Sequence, residues 1–238
     1  MVWPVGSATV DAWALDSRGG RFILASMIYV CAGMYRSGST WLYNAVRLIL
    51  EDAGAPDLAA GWAGEKDRLI TRRNVVIKIH AFDEDLAARQ IIALTSHRDL
   101  RDVAASLARK FKTGFSIATL RETVESHERW SRIAVFDLHY EDLLADKMRE
   151  LQKVAAALRL PPAVLERLPY ESILARIEGE KFTETRSTSG RFDSVNLLHE
   201  GHITDGRHGS WEGTLPAGDV NAIEKEFRPW LVAKGYLA

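Results

Sequence analysis

The sequence is nearly devoid of cysteine. Cys31 is the only one in 238 residues, so no internal disulfide can form, and a reducing compartment, the cytoplasm, is the expected location. No apolar run is long enough to cross a bilayer, so no membrane span is expected. The charges almost cancel, 31 Lys and Arg against 32 Asp and Glu, which leaves no basic field to attract nucleic acid. Repeats and low-complexity tracts are missing too. Residues 1–26 lack the basic start and continuous apolar stretch of a signal peptide and carry Pro4, Gly6, Gly19 and Gly20 instead. They are expected to be an extension outside the core, with Met27 as the functional start and one domain over 27–238, a length that buries a single substantial core.

One further absence is more informative. Gly33-Met34-Tyr35-Arg36-Ser37-Gly38-Ser39-Thr40-Trp41 has nearly the spacing of a nucleotide P-loop, G-x-x-x-x-G-K-[ST], but lacks its lysine. Ser39 stands in that position, and the cation sits three residues earlier, at Arg36. An apolar run over 27–32 precedes the loop and an apolar-periodic segment over 42–50 follows it, so the order is strand, glycine-punctuated turn, helix. A helix N-terminus presents unpaired N–H groups and partial positive charge, and it binds anions. The loop suits a phosphate-like group, without the means to transfer a γ-phosphate in the usual way.

Three more segments repeat the strand-then-polar-end pattern. Asn74-Val75-Val76-Ile77-Lys78-Ile79-His80 reads as a buried parallel strand, with Lys78 and His80 on one face and Ile77 and Ile79 on the other. Residues 90–106 run from the strand-like Gln90-Ile91-Ile92-Ala93-Leu94-Thr95-Ser96 into a helix with Asp99 as its N-cap and Val103 and Leu107 on an apolar stripe. Arg101 and Arg109 are expected on solvated faces of that helix. Ala134-Val135-Phe136-Asp137-Leu138-His139-Tyr140-Glu141-Asp142-Leu143 ends a strand, and an amphipathic helix with Leu151, Val154, Ala155 and Leu158 follows.

Taken together, these segments resemble, in order, the motifs of sulfotransferases that use PAPS (3′-phosphoadenosine 5′-phosphosulfate). Tyr35-Arg36-Ser37-Gly38-Ser39-Thr40-Trp41 is similar to their 5′-phosphosulfate loop, usually Pro-Lys-Ser-Gly-Thr-Thr-Trp. The resemblance implies that Arg36, Ser37, Gly38, Ser39 and Thr40 hold the phosphosulfate end and that Trp41 flanks the adenine. It implies that Lys78 and His80 reach the reacting sulfuryl group. His80 would take the acceptor's proton, a task suited to imidazole, and Lys78 and Arg36 would stabilise developing charge. Asp83 and Glu84 are rival bases, since some relatives use a carboxylate. Arg98 with Ser106, eight residues on, matches the 3′-phosphate site, where a guanidinium fork and a helix hydroxyl hold phosphate oxygens. Tyr140 matches an adenine contact, and Tyr170 is a second candidate for one.

The C-terminal match departs from the family. Its Arg-Lys-Gly-x-x-Gly-Asp-Trp segment reads here as Thr204-Asp205-Gly206-Arg207-His208-Gly209-Ser210-Trp211, keeping the glycines and tryptophan and losing the Arg-Lys pair. Arg207 is the candidate replacement cation, with Arg186 and Arg191 behind it. Residues 180–210 are polar and aperiodic and are expected to form a mobile lid that excludes water. His199, His202 and His208 fall in that lid without zinc-like ligand spacing, so they are read as lid residues and no metal is expected.

The expected architecture is a single α/β domain. A central parallel sheet is flanked by helices, with a P-loop-like strand–loop–helix at its start and a C-terminal lid and helix. That last helix, near 220–230, carries Val220, Ile223 and Phe227 at helical spacing and should kink or end at Pro229. The implied activity is transfer of a sulfuryl group from PAPS to a hydroxyl or amine of a small-molecule, lipid or carbohydrate acceptor, giving PAP (adenosine 3′,5′-bisphosphate). Two alternatives are a kinase with a degenerate P-loop and a non-catalytic nucleotide-binding protein of the same fold. Trp62, Phe82, Phe111, Phe115 and Trp130 are candidates to line an acceptor pocket, or core residues.

Overall fold

Runs of β-branched residues separated by amphipathic stretches can bury both faces of a sheet only if the strands run parallel and the helices cover each side. The computed structural model describes residues 13–15, 22–24, 26–111, 114–186, 191–201 and 206–238, and its main sheet has this arrangement. β1 (Trp13–Leu15) and β2 (Phe22–Leu24) form an antiparallel ribbon. Then follow β3 (Met27–Gly33), α1 (Ser39–Asp52), β4 (Leu58–Trp62), α2 (Lys66–Leu69), β5 (Asn74–Ile79), α3 (Glu84–Ala87) and β6 (Ile91–His97). After these come α4 (Leu100–Lys110), α5 (Ile117–Ser131), β7 (Ala134–His139), α6 (Tyr140–Ala145) and α7 (Lys147–Ala157). α8 (Pro162–Leu165), α9 (Tyr170–Gly179) and α10 (Ala217–Ala233) complete the order. β3 to β7 form a five-stranded parallel sheet in the order β4-β5-β3-β6-β7.

Alternation along β3 divides the core. Tyr29 and Cys31 face α1, α7 and α9 with Leu42, Val46, Leu151 and Ile173, while Val30 and Ala32 face the opposite layer with Ile77, Leu86 and Trp130 of α5. All these side chains are buried, and each large apolar one contributes roughly 1.5–3 kcal/mol of transfer free energy. A third cluster joins Val103 and Leu107 of α4 to Leu120 of α5 and to Ile223 and Phe227 of α10. α10 bends at Phe227 (φ −110°, ψ 16°), two residues before Pro229, because the proline ring cannot share space with the carbonyl a turn earlier. Asp99 caps α4 by accepting the Arg101 amide at 2.9 Å, as its position suggested. Among the described residues no helix is long and apolar enough to cross a membrane.

Candidate functional site

The carboxyl ends of the parallel strands open into a cleft of about 1200 Å³. Gly38 sits at its floor as the N-cap of α1, with φ +79°. A Cβ there would lie 3.1 Å from Leu143 Cδ2 and 3.2 Å from Tyr140 Cδ2, so the position needs glycine for both its backbone and its neighbours. Arg36 is also left-handed, at φ +60°. This turn directs the first turn of α1, with Ser39, Thr40 and Trp41, towards the cleft that they line. Ser37 is turned away. Its hydroxyl is fully buried, 2.8 Å from the Met34 carbonyl and 2.7 Å from Ser96 Oγ, so the side chain braces the loop from behind. Ser37 can therefore meet a ligand through its backbone and not through the hydroxyl.

The cations expected from separate motifs converge on this cleft. Arg36, Lys78 and Arg98 all line it, with His80 and Ser106. Lys78 is buried, and its Nζ lies 2.6 Å from Thr40 Oγ1. Burial, with Arg36 nearby, pulls its pKa down to about 7. Arg36 Nε donates to Ser106 Oγ at 2.9 Å, and burial beside Arg98 lowers the Arg36 pKa. Arg98 stacks over the Tyr140 ring at 4.3 Å and donates to the Arg36 carbonyl at 3.2 Å and to the Arg207 carbonyl. Two guanidiniums and a buried amine lining one cleft favour an anion among them.

His80 is half-buried between aromatic rings, 4.3 Å from Tyr35 and 5.4 Å from Trp62. Its Nδ1 lies 2.6 Å from the Gly33 carbonyl, which can only accept, so Nδ1 carries the proton and Nε2 keeps its lone pair. Burial and Lys78 push the imidazole down to about 3, so it stays neutral across the ordinary pH range. The rival carboxylates are engaged elsewhere. Asp83 caps α3 and pairs with Lys66 at 2.5 Å, and Glu84 pairs with Arg129 at 2.9 Å.

Other expectations are sorted by position. Trp62 and Phe111 line the cleft, but Phe82 and Trp130 pack against each other with tilted rings, centroids 4.7 Å apart, in the layer behind it, and Phe115 packs beside α4. Tyr170 starts α9 and packs against the α1 layer. Arg207 is exposed, and its carbonyl, not its side chain, meets Arg98. Arg186 pairs with buried Asp193 at 3.0 Å. Of the lid histidines, His199 lines the cleft and lies 3.4 Å from Lys110, His208 is exposed, and His202 falls outside the described residues, as do Thr204 and Asp205. Arg101, expected in solvent, is buried. It pairs with Asp99 and Glu224, donates to the Tyr236 carbonyl and covers the Trp211 ring, because three separate chain segments meet over α4.

Two groups of residues had no role assigned from the sequence and became visible only in three dimensions. Asn44 donates to the Asn196 carbonyl at 2.9 Å, Tyr43 to the Val195 carbonyl at 2.9 Å, and Arg47 pairs with Glu180 at 2.7 Å. These contacts pin buried Asp193, Asn196 and Leu197 onto α1. A second cluster lies under α10, where Asp137 accepts from His97 at 3.0 Å and His127 at 3.1 Å and pairs with Lys234 at 2.8 Å. Against the desolvation of burial, the bonds from His127 and His97 hold the Asp137 carboxylate ionised, far below its usual range.

The five parallel strands in this order, with a glycine turn into α1, match the sulfotransferase fold. Comparison of structures bears this out. A mouse sulfotransferase, SULT7A1, complexed with PAP superposes with a TM-score of 0.59 at 13% identity, over 88% of this chain and 86% of that one. Retinol dehydratase in a complex with retinol and PAP gives 0.50 at 16% identity, over 87% of this chain and 81% of that one. The same enzyme with androsterone and PAP gives 0.50 at 17%. No family model and no curated protein matches the sequence itself.

Proposed function

We propose that this protein is a PAPS-dependent sulfotransferase acting on a hydroxyl or amine of a small-molecule, lipid or carbohydrate acceptor. The observation that carries the reading is the convergence of Arg36, Lys78 and Arg98 on the α1 N-terminus, beside a neutral His80 whose Nε2 can accept a proton. The residues fit such a nucleotide. Arg36, Lys78 and Arg98 bring three basic side chains to the cleft, Trp41 and Tyr140 add aromatic rings to its lining, and Arg98 Nε is a buried donor without a hydrogen-bond partner.

When bound, PAPS supplies an activated sulfuryl group. Arg98 and Ser106 would hold its 3′-phosphate, with Trp41 and Tyr140 beside the adenine. The loop amides, Arg36 and Lys78 would neutralise the phosphosulfate end and the charge that develops on its bridging oxygen. His80 Nε2 would take the acceptor's proton as the acceptor oxygen or nitrogen bonds to sulfur and the bond from sulfur to the phosphate oxygen breaks. The protein supplies positioning and charge, and no covalent intermediate on a side chain is needed.

Thermal stabilisation tests the reading. PAP at about a hundred times its dissociation constant adds roughly 2.7 kcal/mol, a shift of about 5–10 °C for a chain of this size. PAP should stabilise far more than ADP, which lacks the 3′-phosphate. A preference for Mg-ATP would instead support the kinase alternative, and indifference to all three would sink both.

A further inference from the structure

Helix α4 presents one continuous face to the chain segment that crosses it near residues 206–214. Asp102, Ser106 and Arg109 recur at about one turn along α4, so the three side chains share that face, and Arg98 lies just before the helix begins. Asp102 is fully buried. Its Oδ2 accepts the Gly209 amide at 2.7 Å and lies 3.5 Å from Arg98 Nη2. Its Oδ1 accepts the Trp211 amide at 3.0 Å and the Ser210 hydroxyl at 3.1 Å. Arg109 adds bonds to Ser210 Oγ at 3.0 Å and Thr214 Oγ1 at 3.2 Å. A buried carboxylate is costly unless donors surround it, and here the crossing segment itself provides three of them. Held this way, the segment brings the Gly206 carbonyl to the Tyr140 hydroxyl at 3.1 Å and the Arg207 carbonyl to Arg98. Both partners belong to the candidate nucleotide site.

We propose that Asp102 is a positioning residue. It clasps the 206–214 segment to α4 and so sets the wall of the nucleotide site at Arg98 and Tyr140. In this chain the Arg-Lys pair of the family segment is replaced by Thr204-Asp205, and the clasp gives the segment a hold that does not depend on that pair. The identity of the ligand rests on the sulfotransferase reading; the clasp itself does not.

Asp102→Asn puts an amide NH2 where an acceptor is required and separates the two dependences. In the ligand-free protein, amide hydrogen exchange in a peptide covering 206–214 should quicken at least tenfold, while exchange in β3 and β5 stays at the wild-type rate. KM for PAPS should rise about ten- to a hundredfold with kcat changed less than threefold, and Asp102→Glu should recover part of the loss. A purely structural role would lower the active fraction and leave KM alone. Ser210→Ala trims the same clasp from the half-buried side of the segment without touching the core. It should quicken the same exchange and raise KM two- to fivefold. Unchanged exchange in Ser210→Ala would overturn the proposal even if Asp102→Asn does not fold. Wild-type exchange and KM in a folded Asp102→Asn would overturn it as well. A wild-type protein that does not bind PAP would overturn the sulfotransferase reading, and the exchange experiment would still show whether Asp102 holds the segment.

Discussion

Lys78 Nζ lies 2.6 Å from Thr40 Oγ1, which ties the end of β5 to the first turn of α1 and places a buried amine with a pKa of about 7 where an anion is expected to bind. An anion beside it raises that pKa, so nucleotide binding should take up a proton at Lys78. Near pH 6 the amine is already protonated and uptake should be close to zero. Above pH 7 uptake should approach one proton, and PAP affinity should fall by up to about tenfold per pH unit. Calorimetric titration in two buffers of different ionisation enthalpy measures this. Lys78→Met should abolish the buffer dependence, and uptake that survives the substitution would rule Lys78 out as its source.

His80→Ala should lower kcat by about 10²–10⁴-fold with PAP affinity nearly unchanged. Because the imidazole is held at about 3, kcat/KM should show no acid limb from it between pH 4 and 7, and the fall should come above pH 7 as Lys78 deprotonates. The stability signs agree. Between pH 6.5 and about 3 the unfolded chain binds a proton at His80 that the folded chain does not, so stability decreases as pH falls through that window. Wild-type turnover in His80→Ala would move the base role to Asp83, Glu84 or water, and the carboxylates would then have to leave their pairs with Lys66 and Arg129.

Ser106→Ala removes the acceptor of the Arg36 Nε bond and one expected phosphate donor together. The loss should be about 1 kcal/mol, or roughly fivefold in PAP affinity, with ADP affinity unchanged. Equal losses for both nucleotides would show that Ser106 acts on the loop and not on a 3′-phosphate.

Gly38→Ala forces an L-residue to φ +79° and drives a methyl against Tyr140 and Leu143. Destabilisation of about 1–2 kcal/mol is expected, a fall in Tm of about 2–8 °C, together with weaker PAP binding as the loop shifts. Gly33→Ala should be worse, since its Cβ would fall 2.2 Å from Ser96 Oγ and 2.4 Å from Ser39 Cβ.

Removing residues 1–26 should leave the PAP-induced thermal shift within about 1 °C of the full chain. Loss of the shift would bring that segment into the functional domain.

Much of the site could be read from sequence because its parts are local. The strands expected at 27–32, 75–80, 91–96 and 134–139 are found within a residue or two, at Met27–Gly33, Asn74–Ile79, Ile91–His97 and Ala134–His139. Each ends in its own polar residues, and a parallel sheet gathers those ends at one rim. β4 escaped notice because Leu-Ala-Ala-Gly-Trp has little strand propensity and forms only by pairing with β5. Arg101 read as solvent-facing because Trp211, Glu224 and Tyr236, which cover it, lie more than a hundred residues away. The same distance concealed Asn44, Arg47 and Asp102, whose partners come from polar segments that carry no periodic signal.

Helix α1 is gripped at both ends of its working length. Its first turn floors the cleft, and one to two turns later Tyr43, Asn44 and Arg47 lock onto Val195, Asn196 and Glu180. Leu197 and Leu198, in that locked segment, form part of the cleft wall. The floor and this wall of the cleft rest on the same helix. Residues 195–198 are therefore a poor place to widen the cleft, because they are anchored to the helix whose first turn forms its floor. Phe111, at the end of α4 and half in solvent, can be trimmed without moving it.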